Sequence, residues 1–428
     1  MKDKKMNLTN ETGNLPSDQF RQTAYDRRTF LKSMGIAIPA ISLLGCSTTR
    51  KATNALQSMP GNVPGFEKEV ATAATHAGWV PVSDRKIKFG IIGFGASQFG
   101  SAFGFQNHPN VEIVAVSDLI PERREALAKA CRCSKTYDSL ELLLEDDEIE
   151  AVWIATDAPS HKDHTIKALN KGKHVAVAVP AVFGSVDDAF ELFEAVKKSD
   201  RLYMMFETSM FHDDLWAMRQ IFKAGGFGDI IYSENSYYHY TGQQLTPSYK
   251  EWRKGLPPIW YPTHATAYYV GVTDGYFTEV SCRGVKSIIE HSMPKNNRYK
   301  NPFRTHVAQM ATNSGGVNNT VISWDSYGFG REGGTVRGQI GSYQGSYQGT
   351  MKDLPDLTRP SLPEGMEAGG HGGSHGRLTD EFVRSILENR KPLIDVAMAL
   401  NMTVPGIVAH QSAMKNGKTL DIPHFSMR

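Results

Sequence analysis

The sequence predicts an α/β protein in two parts: a parallel, doubly wound domain, then an α/β domain with a large, mainly antiparallel open sheet. Three observations predict it. Short apolar runs alternate with helical patterns from Lys86 to Phe206, the rhythm of βαβ units. The first of these runs ends in Gly93-Phe94-Gly95. From Ser209 onward the rhythm changes to longer runs rich in Tyr, Thr and Val, several with the alternation of half-buried strands.

The first 85 residues precede that fold. Asp26-Arg27-Arg28-Thr29-Phe30-Leu31-Lys32 reads as a twin-arginine export motif, followed by a mildly apolar stretch, Ser33–Leu44, too short to span a bilayer. It stops at Leu43-Leu44-Gly45-Cys46, where a small residue before a cysteine resembles a lipoprotein cleavage site. A non-lipidated signal is the alternative. Residues 1–46 are therefore expected to be a signal, with export to the periplasm and a lipid on Cys46 as the membrane link. Residues 47–85 read as a tether and N-terminal arm.

Composition fits an exported enzyme. The chain is formally +2. Residues 1–46 carry seven Lys/Arg and four Asp/Glu, a net +3, which leaves about −1 for the remainder. No basic face for nucleic acid is expected. The four cysteines, Cys46, Cys131, Cys133 and Cys282, lack metal-type spacing and read as mostly buried thiols rather than a disulfide framework.

The nucleotide-binding expectation rests on 88–118. Phe89, Ile91 and Ile92 lead into Gly93-Phe94-Gly95, a helical-looking segment follows, and a second run, Val111–Val116, closes on Ser117-Asp118. Strand, glycine turn, helix, strand, acid is the order of a Rossmann dinucleotide-binding unit. The glycines allow a sharp turn and close approach to a pyrophosphate, and free N–H groups at a helix start favour that anion. Asp118 can accept hydrogen bonds from a ribose. It favours NAD over NADP by repelling a 2′-phosphate, a preference that Arg123 and Arg124 blunt. The third fingerprint glycine falls on Gln98, and the next glycine is Gly100. An ordinary tight βα turn would carry similar residues. The candidate cofactor residues here are Gly93, Phe94, Gly95, Ser97, Gln98 and Asp118.

Further strands follow at Ala151–Thr156, His174–Val179 and Leu202–Phe206, with helices at Pro121–Ala130, Leu140–Leu144, His164–Asn170 and Asp187–Lys197 between them. The domain is expected to cover 86–206. In the second domain, 207–428, a helix at Asp214–Ala224 precedes strands at Ile230–Tyr240, Phe277–Arg283, Phe303–Thr312, Val317–Trp324 and Gly334–Gly341. A helix is expected over Leu378–Glu388, and Asp395–Lys415 should pack helices back on the first domain.

Chemistry concentrates in 251–264, ending Trp260-Tyr261-Pro262-Thr263-His264 ahead of a helix rich in small and aromatic residues. A tyrosine and a histidine three apart at a helix start can share a proton path, and histidine titrates near neutrality. The plainer alternative is a capping histidine and a core tyrosine. Trp252, Arg253 and the strand end Tyr237-Tyr238-His239 are candidate sugar contacts, because rings and few charges suit a sugar face. His371-Gly372-Gly373-Ser374-His375 is a glycine-rich loop with two histidines, read as a substrate contact; its ligand set is too sparse for a metal site.

The order Gly93-Phe94-Gly95, Asp118, Ala155-Thr156 with Pro159 and His161, then Gly172-Lys173-His174-Val175-Ala176-Val177 with Pro180, resembles the Gfo/Idh/MocA family (glucose–fructose oxidoreductase and inositol dehydrogenase relatives). The resemblance runs from Lys86 to the C-terminus. It implies an NAD-binding domain in which Thr156, His161, Val179 and Pro180 border the nicotinamide, a second domain that binds substrate and makes dimer contacts, and His264 as acid/base with Tyr261 orienting or relaying. The family usually reads Glu-Lys-Pro where this chain has Ala178-Val179-Pro180, so the lysine that moves the proton must be replaced. The family's aspartates near the histidine are also absent, with Trp260 and Ala267 in their places. Tyr261-Pro262-Thr263-His264, Met204-Met205-Phe206-Glu207 and Gly369–His375 are similar to the NAD-dependent glycosidases of the same superfamily, whose usual glutamate is Ala178 here. The expected function is an exported NAD(P)-dependent oxidoreductase acting on a sugar. The alternatives are a glycosidase that oxidises transiently on a retained NAD, and a sugar-binding protein without catalysis. A homo-oligomer is implied by the resemblance alone.

Overall fold

The computed structural model describes residues 78–242, 245 and 249–427. The expected twin-arginine motif, Cys46 and most of the 47–85 arm lie outside them. The end of the arm is pinned to the fold: the Trp79 indole donates to Asp380 (2.9 Å) and Arg384 donates to the Val80 carbonyl (3.0 Å).

Six strands, β1 (Ile87–Ile92), β2 (Val111–Ser117), β3 (Thr136–Tyr137), β4 (Ala151–Ile154), β5 (His174–Ala178) and β6 (Tyr203–Phe206), form a parallel sheet in the order β3-β2-β1-β4-β5-β6. Helices α1 (Phe99–Ala102), α2 (Pro121–Cys131), α3 (Leu140–Leu144), α4 (His161–Asn170) and α5 (Val186–Lys198) connect them. The strands read as continuous apolar runs because both faces are covered; all four residues of β4 are buried. Helix α5 shows the local rules plainly. The Ser185 side chain caps it by accepting from the Asp188 amide, Asp187 and Asp188 sit in its first turn and Lys197 and Lys198 in its last. Ala189, Leu192, Phe193 and Val196 recur at helical spacing and are its buried face.

The helix expected after Gly95 is only one turn. Phe103 and Phe105 are both buried against Trp153 and Phe206, and residues two apart cannot share one helix face. Gly104, at φ +74°, ends the turn. Gly100 does the packing expected of the fingerprint's third glycine, since a Cβ there would lie 2.3 Å from the Gly93 carbonyl oxygen.

The second domain contributes α6 (Asp213–Lys223), β7 (Ile230–Tyr238), α7 (Thr263–Thr273), β8 (Phe277–Lys286), β9 (Phe303–Thr312), β10 (Val317–Ser323), β11 (Arg331–Gly338), β12 (Gly341–Tyr343), β13 (Tyr347–Gly349), α8 (His375–Leu387), α9 (Val396–Met414) and β14 (Leu420–Asp421). Its sheet runs β13-β12-β11-β7-β10-β9-β8-β14 and is antiparallel except for the β7–β10 pair. Helix α7 is buried on every side, Thr263 through Val272, between this sheet, α6 and α9. It lies close to β11 because Gly334 has no side chain: a Cβ there would be 2.4 Å from the Tyr268 Cβ. The tail is one helix rather than several. α9 packs on α5 and β6, and the Ile394 carbonyl just before it accepts from the Met205 amide of β6 (3.2 Å). Among the described residues no helix is long and apolar enough to cross a membrane.

Candidate active site

One cleft runs from the ends of β1, β2, β4 and β5 to the start of α7. Its glycine end is mostly main chain. Gly93 (φ +88°) and Gly95 (φ +69°) adopt left-handed backbone that favours glycine, and a Cβ on Gly93 would lie 2.8 Å from the Ala155 carbonyl oxygen. Asp118 follows β2. Its Oδ2 accepts from the Phe94 amide (2.8 Å) and its Oδ1 from the Ile120 amide (2.9 Å). Two main-chain donors thus fix the carboxylate while each oxygen keeps a lone pair for a ligand. Arg124 is occupied by the Asp118 carbonyl (2.9 Å) and by Asp138 (2.9 Å), whereas Arg123 lines the cleft. A crowded glycine cradle beside a fixed acid at the end of β2 fits a dinucleotide.

Ser97 and Thr156 line the same wall. The Thr156 hydroxyl contacts His164 Nδ1 (3.0 Å), and burial pushes that imidazole down to about 4, so it is neutral. His161 lies between the carbonyls of Pro180 (Nδ1, 2.9 Å) and Thr156 (Nε2, 3.2 Å). Burial lowers its pKa as well, and a neutral ring donates to one carbonyl at a time. Val179 lines the cleft beside it, joined to Pro180 by a cis peptide. Gln98, left-handed and exposed at the start of α1, and the buried Pro180 do not line the cleft.

The histidine end is built from side chains. His264, second residue of α7, is 4% exposed, and its Nδ1 lies 2.9 Å from Glu207 Oε1. Glu207 directly follows β6, is fully buried, and accepts the Ser209 amide at the same oxygen (2.9 Å). Burial alone would raise its carboxyl pKa; the charge of His264 and the hydrogen bonds hold it below the ordinary value. With Nδ1 committed to Glu207, Nε2 points away from that carboxylate, and the ring lines the cleft. β5 and β6 pair Ala178 with Phe206, so Glu207 stands beside Val179, where the family lysine is missing.

The Tyr261 hydroxyl donates to the Val179 carbonyl (2.7 Å), and its ring centroid is 6.2 Å from that of His264. Burial raises its pKa, so it is a neutral phenol. Arg253 lies over Trp252 (4.5 Å) and 5.9 Å from the Tyr261 ring, and all three line the cleft. His371 stacks on His264 (6.2 Å, 21°) and lines the cleft too.

Two predicted sugar contacts sit elsewhere. Of the expected strand end, the two-residue period of β7 brings Tyr237 and His239 to the cleft and puts Tyr238 on the opposite face. His375 supports His371 from behind: it meets His371 Nδ1 at 2.7 Å, contacts the Ala102 carbonyl at 3.1 Å and stacks on Phe103 at 4.0 Å. Ser209, His212 and Glu332 carry no sequence motif that assigns them this place, and Glu207 belongs to Met204-Met205-Phe206-Glu207, a resemblance that assigns it no role. For Glu207 a signal existed, since residues just past a parallel strand's C-terminal end face the ligand crevice. Among the described residues no three His, Cys, Asp or Glu side chains are arranged to hold a metal ion.

A parallel sheet with this glycine cradle and acid defines a dinucleotide-binding oxidoreductase fold, and residues 87–207 match the family model described as "Oxidoreductase family, NAD-binding Rossmann fold". Over those residues the chain matches the NAD-binding domain of the Gfo/Idh/MocA family. It is 30% identical over 162 residues to glycosyl hydrolase family 109 protein 1 of Bacteroides thetaiotaomicron, covering 36% of this chain and 34% of that one. The chain thus spans about a third of the length of the first curated relatives it matches. A glycosyl hydrolase family 109 protein of Saccharopolyspora erythraea is 23% identical over 96% of both chains. Among solved structures, levoglucosan dehydrogenase in complex with NADH and levoglucosan superposes with a TM-score of 0.66 at 16% identity, over 79% of this chain and all of that one, a likeness of fold.

Proposed function

We propose that the protein is an exported NAD-dependent enzyme that oxidises a hydroxyl of a sugar or sugar derivative. The observation that carries this reading is His264, held by Glu207 beside Val179 in the cleft that begins at the glycine cradle. Gly93, Phe94, Gly95 and Asp118 would hold the cofactor's phosphates and ribose, with Thr156, His161 and Val179 bordering the nicotinamide. NAD, when bound, supplies the hydride acceptor. His264 takes the hydroxyl proton at Nε2 while Nδ1–H stays on Glu207, which fixes the tautomer and stabilises the imidazolium. Tyr261, committed to Val179, positions rather than relays. Tyr237, Trp252, Arg253 and His371 hold the sugar. His264 and Glu207 together thus take over the proton handling for which Ala178-Val179 has no side chain.

A second reading, a glycosidase that oxidises, eliminates, adds water and reverses the hydride step, is favoured by the full-length relative named a glycosyl hydrolase. Export also supports it, since a retained cofactor needs no recycling. The test is to denature the purified protein, measure released NAD, and offer the native form nitrophenyl glycosides without added cofactor, then free sugars. Bound NAD with absorbance at 340 nm on free sugars supports net oxidation. Nitrophenol release with no added cofactor supports the second reading. A protein that neither contains nor takes up nucleotide overturns both.

A further inference from the structure

We infer that Glu332 is a second positioning residue for His264, a carboxylate that joins Glu207 in keeping this imidazole able to carry a proton inside a cluster of buried histidines. The inference rests on the reading of His264 as acid/base and extends it to a residue on the other sheet.

Glu332 lies on β11 opposite Tyr237 of β7, with its side chain 4% exposed. Its Oε2 is 3.9 Å from His264 Nδ1, 3.7 Å from His212 Nε2, and accepts from the Ser209 hydroxyl (3.3 Å). The approach is set by the backbone: Gly334, two residues on, lets β11 come close to α7, which carries His264. Ser209 links the two acids, its amide on Glu207 and its hydroxyl on Glu332. The charged and titratable groups facing this pair are Glu207 and His212 ahead of α6, Tyr237 on β7 and His239 just after it, and Arg253 and Tyr261 ahead of α7. Tyr268 on α7, with Asp214 and Arg331 near it, and His371 on the glycine turn face it as well.

Neighbouring histidines show what the cluster does to an imidazole. Burial pushes His239 down to about 3 and His212 to about 4, and drives His371 well below its ordinary value. His264 differs in having two carboxylates within 4 Å of one ring nitrogen. His212 also reaches Glu332, but its Nδ1 meets the Tyr268 hydroxyl (2.9 Å) and burial holds it neutral, whereas His264 bonds Glu207 directly.

The test needs no turnover. The protein as isolated is labelled with ¹⁵N-histidine, and the His264 ring signal, identified by its loss in His264→Gln, is followed against pH. Glu332→Gln should lower the His264 midpoint by about one pH unit or more, a tenfold loss of proton affinity, with bound NAD unchanged. An unmoved midpoint overturns the inference, as does a wild-type His264 that never protonates above pH 5. Where Glu332→Gln does not fold, Glu332→Ser, which leaves room for water, carries the same expectation and the same refutation. Failure of the proposed activity would appear separately, as absent turnover in a protein whose midpoint still moves.

Discussion

At the glycine end of the cleft the wall is main chain: Gly93 and Gly95 make room, and two amides fix Asp118. At the histidine end the wall is side chain, converging from the end of β6, β7, the segment before α7, the start of α7 and the glycine turn before α8. The first kind of wall is specified by a few local residues and is indifferent to the side chains around it. The second exists only when distant segments meet, and each member matters chemically. The two ends are therefore expected to fail in different ways.

The largest effect belongs to the histidine end. His264→Ala should cut turnover by about 10²–10⁴-fold while leaving bound NAD at the wild-type level, checked by kinetics beside nucleotide content. Loss of NAD in this variant would erase the division between the ends. At the glycine end, Gly93→Ala forces a side chain at φ +88° against the Ala155 carbonyl and should reduce bound NAD by about tenfold or more. Asp118→Ala should weaken NAD by roughly tenfold with no change in folding, read by titration calorimetry on stripped protein.

The two ends answer to acid in the same sense, since burial also keeps His161 and His164 on the glycine-end wall neutral. His212, His239 and His371 are held neutral by burial, with folded pKa values below the unfolded 6.5. Below pH 6.5 the unfolded chain binds protons that the fold refuses, so stability falls as pH drops toward 4, by roughly 1.4 kcal/mol per unit for each such histidine. Thermal melts from pH 7.5 to 4.5 check this, and a flat profile would mean that these buried histidines, at both ends, are already charged. Glu207, with its pKa depressed, adds stability that is full above pH 4.5 and lost only below it. The smallest effect is Tyr261→Phe, which leaves the Val179 carbonyl without its donor and should cost about 1 kcal/mol in a denaturant melt.

The same contrast explains what the sequence could reveal. The parallel sheet is legible because doubly covered strands are continuous apolar runs, and Gly93, Gly95 and Asp118 because their roles depend on neighbours in the chain. The length of α1 is not, since Phe103 and Phe105 answer to Trp153 and Phe206 far away. β12 and β13 are short, polar and turn-like, so no period marks them. Tyr237 and Tyr238 look alike in sequence, and only the register of β7 decides which faces the cleft. Glu207 and Glu332 sit 57 and 68 residues from His264, and no spacing rule joins them.

The pairing of β6 with the segment before α9 has a consequence for how the chain is made. β7 finds its parallel partner β10 only 85 residues later, as in the Asn318–Ser233 contact. The edge of β6 waits longer still, until Ile394 has left the ribosome. The cofactor half is thus not sealed when its own last strand is synthesised, and a chain cut short in the final helix would present an open strand edge to any chaperone or protease nearby. Completion of the C-terminus closes both halves together.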